Sequence, residues 1–223
     1  MGSLPDIPTR GEKRKITNLG RFLRAWFKDN AREFPWREPG TGTYERICVE
    51  VLLQRTRAQT VAAVYDEFFA RFPDWDEVSL ADESALGEFL KPLGLWRRRT
   101  SSLKQLANYA ADRGGAFPDA TEELVSIPAV GQYVANAILL FQHGQRKPLL
   151  DVNMARLLER YVRPRKLVDI RHDPWLQAAA HWLVREGNAV ETNWACLDYA
   201  AQICSPTRPH CLECHIKHRC PYD

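Results

Sequence analysis

Four cysteines crowd the end of the chain, Cys204, Cys211, Cys214 and Cys220, separated by six, two and five residues. Thiolates this close in a loop-rich tail can close around a zinc ion or an iron–sulfur cube, and ligand type alone does not choose between them. On frequency alone, structural zinc is favoured. Two carboxylates stand out by context. Glu50 lies inside the apolar run YERICVEVLLQ, Tyr44 to Gln54, where a buried carboxylate is costly unless paired or functional. Asp151 follows a polar loop and opens the helical pattern DVNMAR. There it can cap the helix, or it can serve as a catalytic carboxylate. Upstream of Asp151 is the turn Ile127-Pro128-Ala129-Val130-Gly131. Pro128 ends one helix, and Gly131 permits a tight path and lets an anion approach the N–H groups of the next. Helix, glycine turn, helix is a means of gripping a nucleic-acid backbone without reading its sequence.

These residues need a scaffold, and the pattern around them is helical throughout. Apolar residues recur at helical spacing over Thr17–Asn30, Tyr44–Gln54, Ala58–Arg71, Thr100–Ala111 and Val152–Tyr161, and again after Asp173-Pro174 and over Thr192–Ile203. No stretch alternates as a strand, and there is no internal repeat. At 223 residues and 45% hydrophobic content, the chain can bury one large core or two small ones. Residues 1–16 read as a flexible basic arm. The net charge of +3 is a weak argument for nucleic acid, but the cations are clustered. Gly94-Leu95-Trp96-Arg97-Arg98-Arg99 pairs apolar side chains with three arginines. That suits a loop that wedges into a base stack while cations hold phosphates. No apolar run approaches a membrane span, and the polar, basic start lacks a signal-type segment. An intracellular, nucleoid-associated protein is expected, in which the cysteine cluster suggests a metal more than disulfides. Cys48 and Cys196 lie in apolar helices and read as inert core thiols.

Several of these segments resemble one family. LVSIPAVGQYVANAI resembles the helix-hairpin-helix of the base-excision DNA glycosylases, and DVNMAR the segment carrying their catalytic aspartate. FPWR at Phe34–Arg37 resembles the entry signature of the adenine and mismatch branches. EVLLQRT resembles the segment in which those branches place a glutamate in the base pocket, a glutamate usually missing from endonuclease III-like enzymes. The six–two–five cysteine spacing is similar to that of the 4Fe–4S loop in endonuclease III and MutY-like glycosylases. On that resemblance the four cysteines are assigned a 4Fe–4S cluster with a structural role.

The resemblance implies an all-α fold of two lobes. A six-helix lobe containing the hairpin would span 44–150, and a cluster lobe would join 17–43 to 151–223, with DNA and the base cleft between them. It assigns Asp151 to stabilising an oxocarbenium ion and orienting water, and Glu50 to helping the base leave. Gln54 and Arg55 would fill the gap opposite a flipped base. Leu95 or Trp96 would be the wedge, beside Arg97. Val130, Gly131, Gln132 and Asn153 would complete the DNA contacts. The partner would be double-stranded DNA with a mismatched or damaged base, met by a monomer.

Position 133 separates the branches. Endonuclease III-like lyases carry there, two residues after the hairpin glycine, the lysine that forms a Schiff base. Tyr133 cannot do that chemistry. MutY-like adenine glycosylases tend to have serine, whereas tyrosine is similar to the Mig-type thymine mismatch glycosylases. The reading is therefore a monofunctional glycosylase removing thymine or uracil opposite guanine. Three alternatives stand beside it: an adenine glycosylase acting on A:G or A:8-oxoguanine, a bifunctional lyase, and a non-catalytic helix-hairpin-helix module. Two departures from the family pattern matter. Ala129 replaces the usual glycine of the turn, so that position must accept a Cβ. Gln132 stands where Arg or Lys is common.

Overall fold

The computed structural model describes residues 7–164 and 169–222. Among them are eleven α-helices and no strand, in keeping with the all-helical reading. Also among the described residues, no helix is long and apolar enough to cross a membrane. By its contacts the chain divides into two compact units, Met1–Arg32 with Gln145–Asp223, and Glu33–Gly144.

The Glu33–Gly144 unit holds α2 (Thr43–Leu52), α3 (Ala58–Arg71), α4 (Trp75–Leu80), α5 (Glu83–Leu90), α6 (Trp96–Ala111), α7 (Thr121–Ser126) and α8 (Gln132–Phe141). Helix α8 is buried on every side from Val134 through Leu140, a run apolar but for Asn136, as suits a central helix. Helix α2 packs against α8 and α6, α6 receives α4 and α5, and α7 leans on α8. The shared core includes Ile47, Val51, Leu86, Leu103 and Ile138. Asp74 caps α4 through the N–H of Glu77 at 2.8 Å, and Asp82 caps α5 through Ala85 at 2.9 Å. Phe34 and Trp36 stack at 4.6 Å within this core. The unit therefore begins at Glu33, where the sequence suggested Tyr44. Gly114 and Gly115 close α6 with left-handed backbones, and the Gly115 N–H returns to the Ala110 carbonyl at 2.9 Å.

The other unit holds α1 (Arg10–Asn30), α9 (Val152–Tyr161), α10 (Pro174–Leu183) and α11 (Ala189–Gln202). Helix α1 lies along α10 and α11, and α9 packs on both. Ile16, Leu23, Leu158, Trp175 and Tyr199 form its core. Segment 145–150 belongs here because Arg146 donates to the carbonyls of Arg185 and Gly187, and the Leu149 N–H donates to Asn193 Oδ1 at 2.7 Å.

Much of the expected flexible arm is helix. Helix α1 starts at Arg10, seven residues before Thr17, because Thr9 and Glu12 form a reciprocal capping box. Arg163 grips Glu12 at 2.6 and 2.8 Å. Burial alone would raise the Glu12 carboxyl. The bonds from Arg163 and Thr9 overcome it and hold the carboxyl down at about 2. Lys13 and Lys15 lie over the rings of Trp182 and Tyr161, so two of the arm's cations are pinned to the fold. Residues 1–6 of the arm lie outside the described residues.

Candidate functional site

The turn between α7 and α8 is a two-step hairpin. The Ile127 N–H reaches Leu124 O and the Val130 N–H reaches Ile127 O, each at 3.1 Å. Ile127 and Val130 are buried, while Pro128, Ala129, Gly131 and Gln132 face outward. Val130 thus anchors the turn, and only its backbone is available to a ligand. The left-handed residue is Ala129, with φ 67°, whereas Gly131 has an ordinary φ of −87°. The tight path expected of Gly131 is therefore taken two residues earlier, by a residue with a Cβ. A Cβ at Gly131 would meet nothing of the protein within 4 Å. Its absence serves no internal packing, and it leaves the start of α8 open to an approaching anion, where Gly131 supplies no side-chain cap. Two substitutions separate these roles. Ala129→Gly should raise stability by up to about 1 kcal/mol, because relief of left-handed strain slightly exceeds the added chain entropy. Gly131→Ala should leave stability within about 1 kcal/mol and weaken DNA binding. Denaturant titration and a duplex-binding isotherm check both. Weakened folding without weakened binding in Gly131→Ala would contradict the assignment.

Glu50 sits in the buried stretch Ile47–Leu52 of α2 and is 2% exposed. It accepts a hydrogen bond from the Tyr133 hydroxyl, Oη to Oε2, at 2.6 Å. Tyr133 is the second residue of α8, so the first turn after the hairpin delivers a phenol directly to the buried carboxylate. The pair offers a donor and an acceptor side by side, which is what recognising and protonating a heterocycle requires.

Two further loops of this unit carry the expected DNA-contacting residues. Gln54 and Arg55 are exposed after α2, with Arg55 left-handed at φ 59°. Leu95 is 52% exposed and left-handed at φ 48°, where it caps α6. Trp96 differs from its expected alternative role as wedge. It is part of the first turn of α6 and packs partly buried on the core. A Cβ on Gly87 would come within 2.9 Å of its ring. Arg97 and Arg98 are exposed, with Arg97 over the Trp96 ring at 4.4 Å. Arg99 is not one of the outward cations, being 3% exposed.

In the other unit, Asp151 is the N-cap of α9. Its Oδ1 accepts from the N–H groups of Asn153 and Met154, both at 2.9 Å, and its Oδ2 accepts from Asn153 Nδ2 at 2.6 Å. Burial pushes the Asp151 carboxyl above the usual aspartate value, against the lowering pull of these bonds and of the Arg156 charge. Asn153 receives Arg156 on its Oδ1 at 2.9 Å. Both ends of the Asn153 amide are thus engaged with neighbouring side chains, so it orients the carboxylate in this structure. Arg156 also donates to Cys204 O at 2.8 Å and Ala200 O at 2.9 Å.

Cys204, Cys211, Cys214 and Cys220 line one cavity of about 360 Å³, measured out to its open mouth. Arg160, Lys217 and Tyr222 share its wall. The Tyr199 hydroxyl lies 3.1 Å from Cys214 Sγ, and Arg160 points at Cys204 Sγ from 3.5 Å. Among the described residues, no group of three or more His, Cys, Asp or Glu side chains is placed to hold a metal ion. Cys48 and Cys196 are fully buried, and burial pushes both thiols well up, as suits inert core residues.

The family model of the HhH-GPD superfamily of base excision DNA repair proteins matches residues 48–168, which include Glu50, the hairpin and Asp151. The chain belongs to that superfamily. A thymine-DNA glycosylase of Aeropyrum pernix is 34% identical over 216 residues, covering 95% of this chain and 96% of its own. An adenine DNA glycosylase of Mycobacterium tuberculosis is 31% identical over 87% of this chain but only 64% of its own length. The solved structure of a thermostable thymine-DNA glycosylase superposes with a TM-score of 0.83 at 28% identity, covering 94% of this chain and 96% of its own.

For this HhH-GPD chain, sequence reasoning missed two residues. Arg156 was passed over inside a motif read for its first residue. Arg99 was counted among the outward cations. The helical spacing of Arg99, Leu103 and Leu106, all buried on α6, was the available signal.

Proposed function

We propose that this protein is a monofunctional DNA glycosylase that removes thymine or uracil paired with guanine, acting as a monomer on duplex DNA in the nucleoid. The observation that carries the reading is the Tyr133–Glu50 hydrogen bond. It puts a phenol, which cannot form a Schiff base, at the hairpin position, and couples it to a buried carboxylate suited to a leaving base. A glycosylase must extrude its target, and a mismatch lowers that cost. The bond from C1′ to the pyrimidine nitrogen then breaks, its electron pair leaving with the base. Tyr133 and Glu50 hydrogen-bond the departing pyrimidine and help supply its proton. The Asp151 carboxylate stabilises the cationic sugar, orients a water onto C1′ and takes the proton that water releases. Asn153 and the α9 N–H groups hold the carboxylate in one orientation. The open start of α8 at Gly131 receives a phosphate. Base identity tests this reading. Chromatography after single turnover should show thymine and uracil released from T:G and U:G duplexes. Adenine released from A:G or A:8-oxoguanine duplexes in their place would overturn it.

We propose that the four thiols lining this cavity hold a 4Fe–4S cluster. The all-thiolate donor set supports that reading. Arg160 and Tyr199 are directed at two of the sulfurs. Bound there, the cluster would cross-link Cys211, Cys214 and Cys220 of the tail to Cys204, just after α11. Pure protein should be straw-brown, with broad visible absorbance and close to four irons per chain. A colourless protein with one zinc would contradict the assignment.

A further inference from the structure

Arg99 is the third of the arginines that begin α6 and the one turned inward. Its Nη1 donates to Leu93 O at 3.0 Å. Its Nη2 donates to Gln54 O at 2.5 Å and to the Thr56 hydroxyl. That hydroxyl itself donates to Leu93 O at 3.1 Å. Oxygens from two loops far apart in the chain therefore meet on one planar fork. Each loop carries an exposed residue with left-handed backbone: Arg55, between Gln54 and Thr56, and Leu95, just after Leu93 and Gly94. Such a backbone is strained for a residue with a Cβ and persists where its surroundings over-determine it. Among the described residues the guanidinium has no offsetting charge partner, and its Nε finds no acceptor. Burying a cation this way is unfavourable for packing alone.

We propose that Arg99 is a positioning residue that clamps the Gln54–Arg55 tip and the Leu95 tip into one two-pronged element, so that both enter a DNA duplex in fixed register. The proposal rests on the reading of the chain as a base-extruding glycosylase. Prising a base step open loses stacking. Prongs already held in place lose no freedom on insertion, and neither can enter without bringing the other. The exposed cations Arg55, Arg57, Arg97 and Arg98 flank the two tips and suit phosphates on either side. Lysine could keep the charge but not the fork, since one ammonium cannot hold the same oxygens in a plane.

The test uses Arg99→Lys and Thr56→Val, the second removing only a hydroxyl from the clamp, on a duplex with 2-aminopurine beside a T:G pair. Wild type should raise the fluorescence on binding, and both variants should lose most of that rise. Single-turnover release from T:G should fall on the order of 10²-fold in both, as misplacement by about 1 Å does. Release of thymine facing an abasic site, which is extruded at little cost, should fall less than about threefold. Equal losses on the two substrates would overturn the clamp, because a general folding defect cannot tell them apart. If Arg99→Lys does not fold, Thr56→Val decides alone. Wild type that raises fluorescence but releases no base would defeat the glycosylase reading and leave the clamp to the variants. Wild type with no fluorescence rise would overturn the clamp even if base is released.

Discussion

Asp151→Asn should abolish base release, lowering the single-turnover rate by about 10³-fold, while duplex binding is retained or tightened. The side chains are isosteric, and asparagine is an equally good N-cap, so Oδ1 still meets the N–H groups of Asn153 and Met154. What disappears is the negative charge facing the developing cation. Stability should change little, through two opposed terms. Burial raises the wild-type carboxyl, so its ionised form is disfavoured in the folded state. Neutral asparagine removes that penalty but sets an NH₂ against Asn153 Nδ2, which now donates to Oδ2 at 2.6 Å. The sign of the pH dependence follows. A raised folded-state pKa destabilises the fold above that pKa, and the penalty fades as pH falls through it. Any advantage of Asp151→Asn should therefore be present at neutral pH and shrink on acidification. The acid limb of wild-type activity should fall at a pH above the ordinary aspartate range. Equal stability gaps at neutral and acid pH, or full activity in Asp151→Asn, would contradict the role given to this carboxylate.

Glu50→Gln and Tyr133→Phe should give the second large effect. Removing an acid–base group directed at the leaving base lowers rates by about 10²–10⁴-fold, and Glu50→Gln belongs in that range. Tyr133→Phe leaves Glu50 in place but takes away the donor at 2.6 Å. Its rate should fall less, because the carboxylate that serves the leaving base remains. The two changes share one hydrogen bond, so the double variant should lose less than the product of the single losses. Independent, fully multiplicative losses would show that the pair does not act as a unit. No borohydride-trapped adduct is expected in any of these proteins, since none places an amine at position 133.

How much of this was legible beforehand follows from what each signal depends on. The hairpin, Glu50, Asp151 and the cysteines were readable because each is an odd residue in a regular setting: a carboxylate in an apolar helix, a proline and glycine between two helices, thiols in a row. The helical class was readable because 3.6-residue periodicity is local. Helix starts were less so. Helix α1 runs back to Arg10 through the local Thr9–Glu12 capping box, whose Glu12 is gripped by Arg163, a residue 151 positions away. Likewise, Trp96 reads as an exposed aromatic beside arginines until Gly87 of α5 is seen to make room for its ring. Asn153 reads as a polar surface residue until Asp151 and Arg156 take both ends of its amide. The backbone strain at Ala129 was half visible. The missing glycine was plain, but that Gly131 would keep an ordinary φ was not.

The most direct test of the central claim is single-turnover incubation of enzyme in excess with an end-labelled T:G duplex, divided into untreated, hot-alkali and borohydride portions. The expected result is release of free thymine, an intact strand without alkali, cleavage at the thymine position after alkali, and no trapped adduct. Cleavage without alkali together with a borohydride-trapped complex would make the chain a lyase and remove Tyr133 from its assigned role. An intact strand after alkali, with thymine retained, would contradict the assignment of thymine opposite guanine as a substrate.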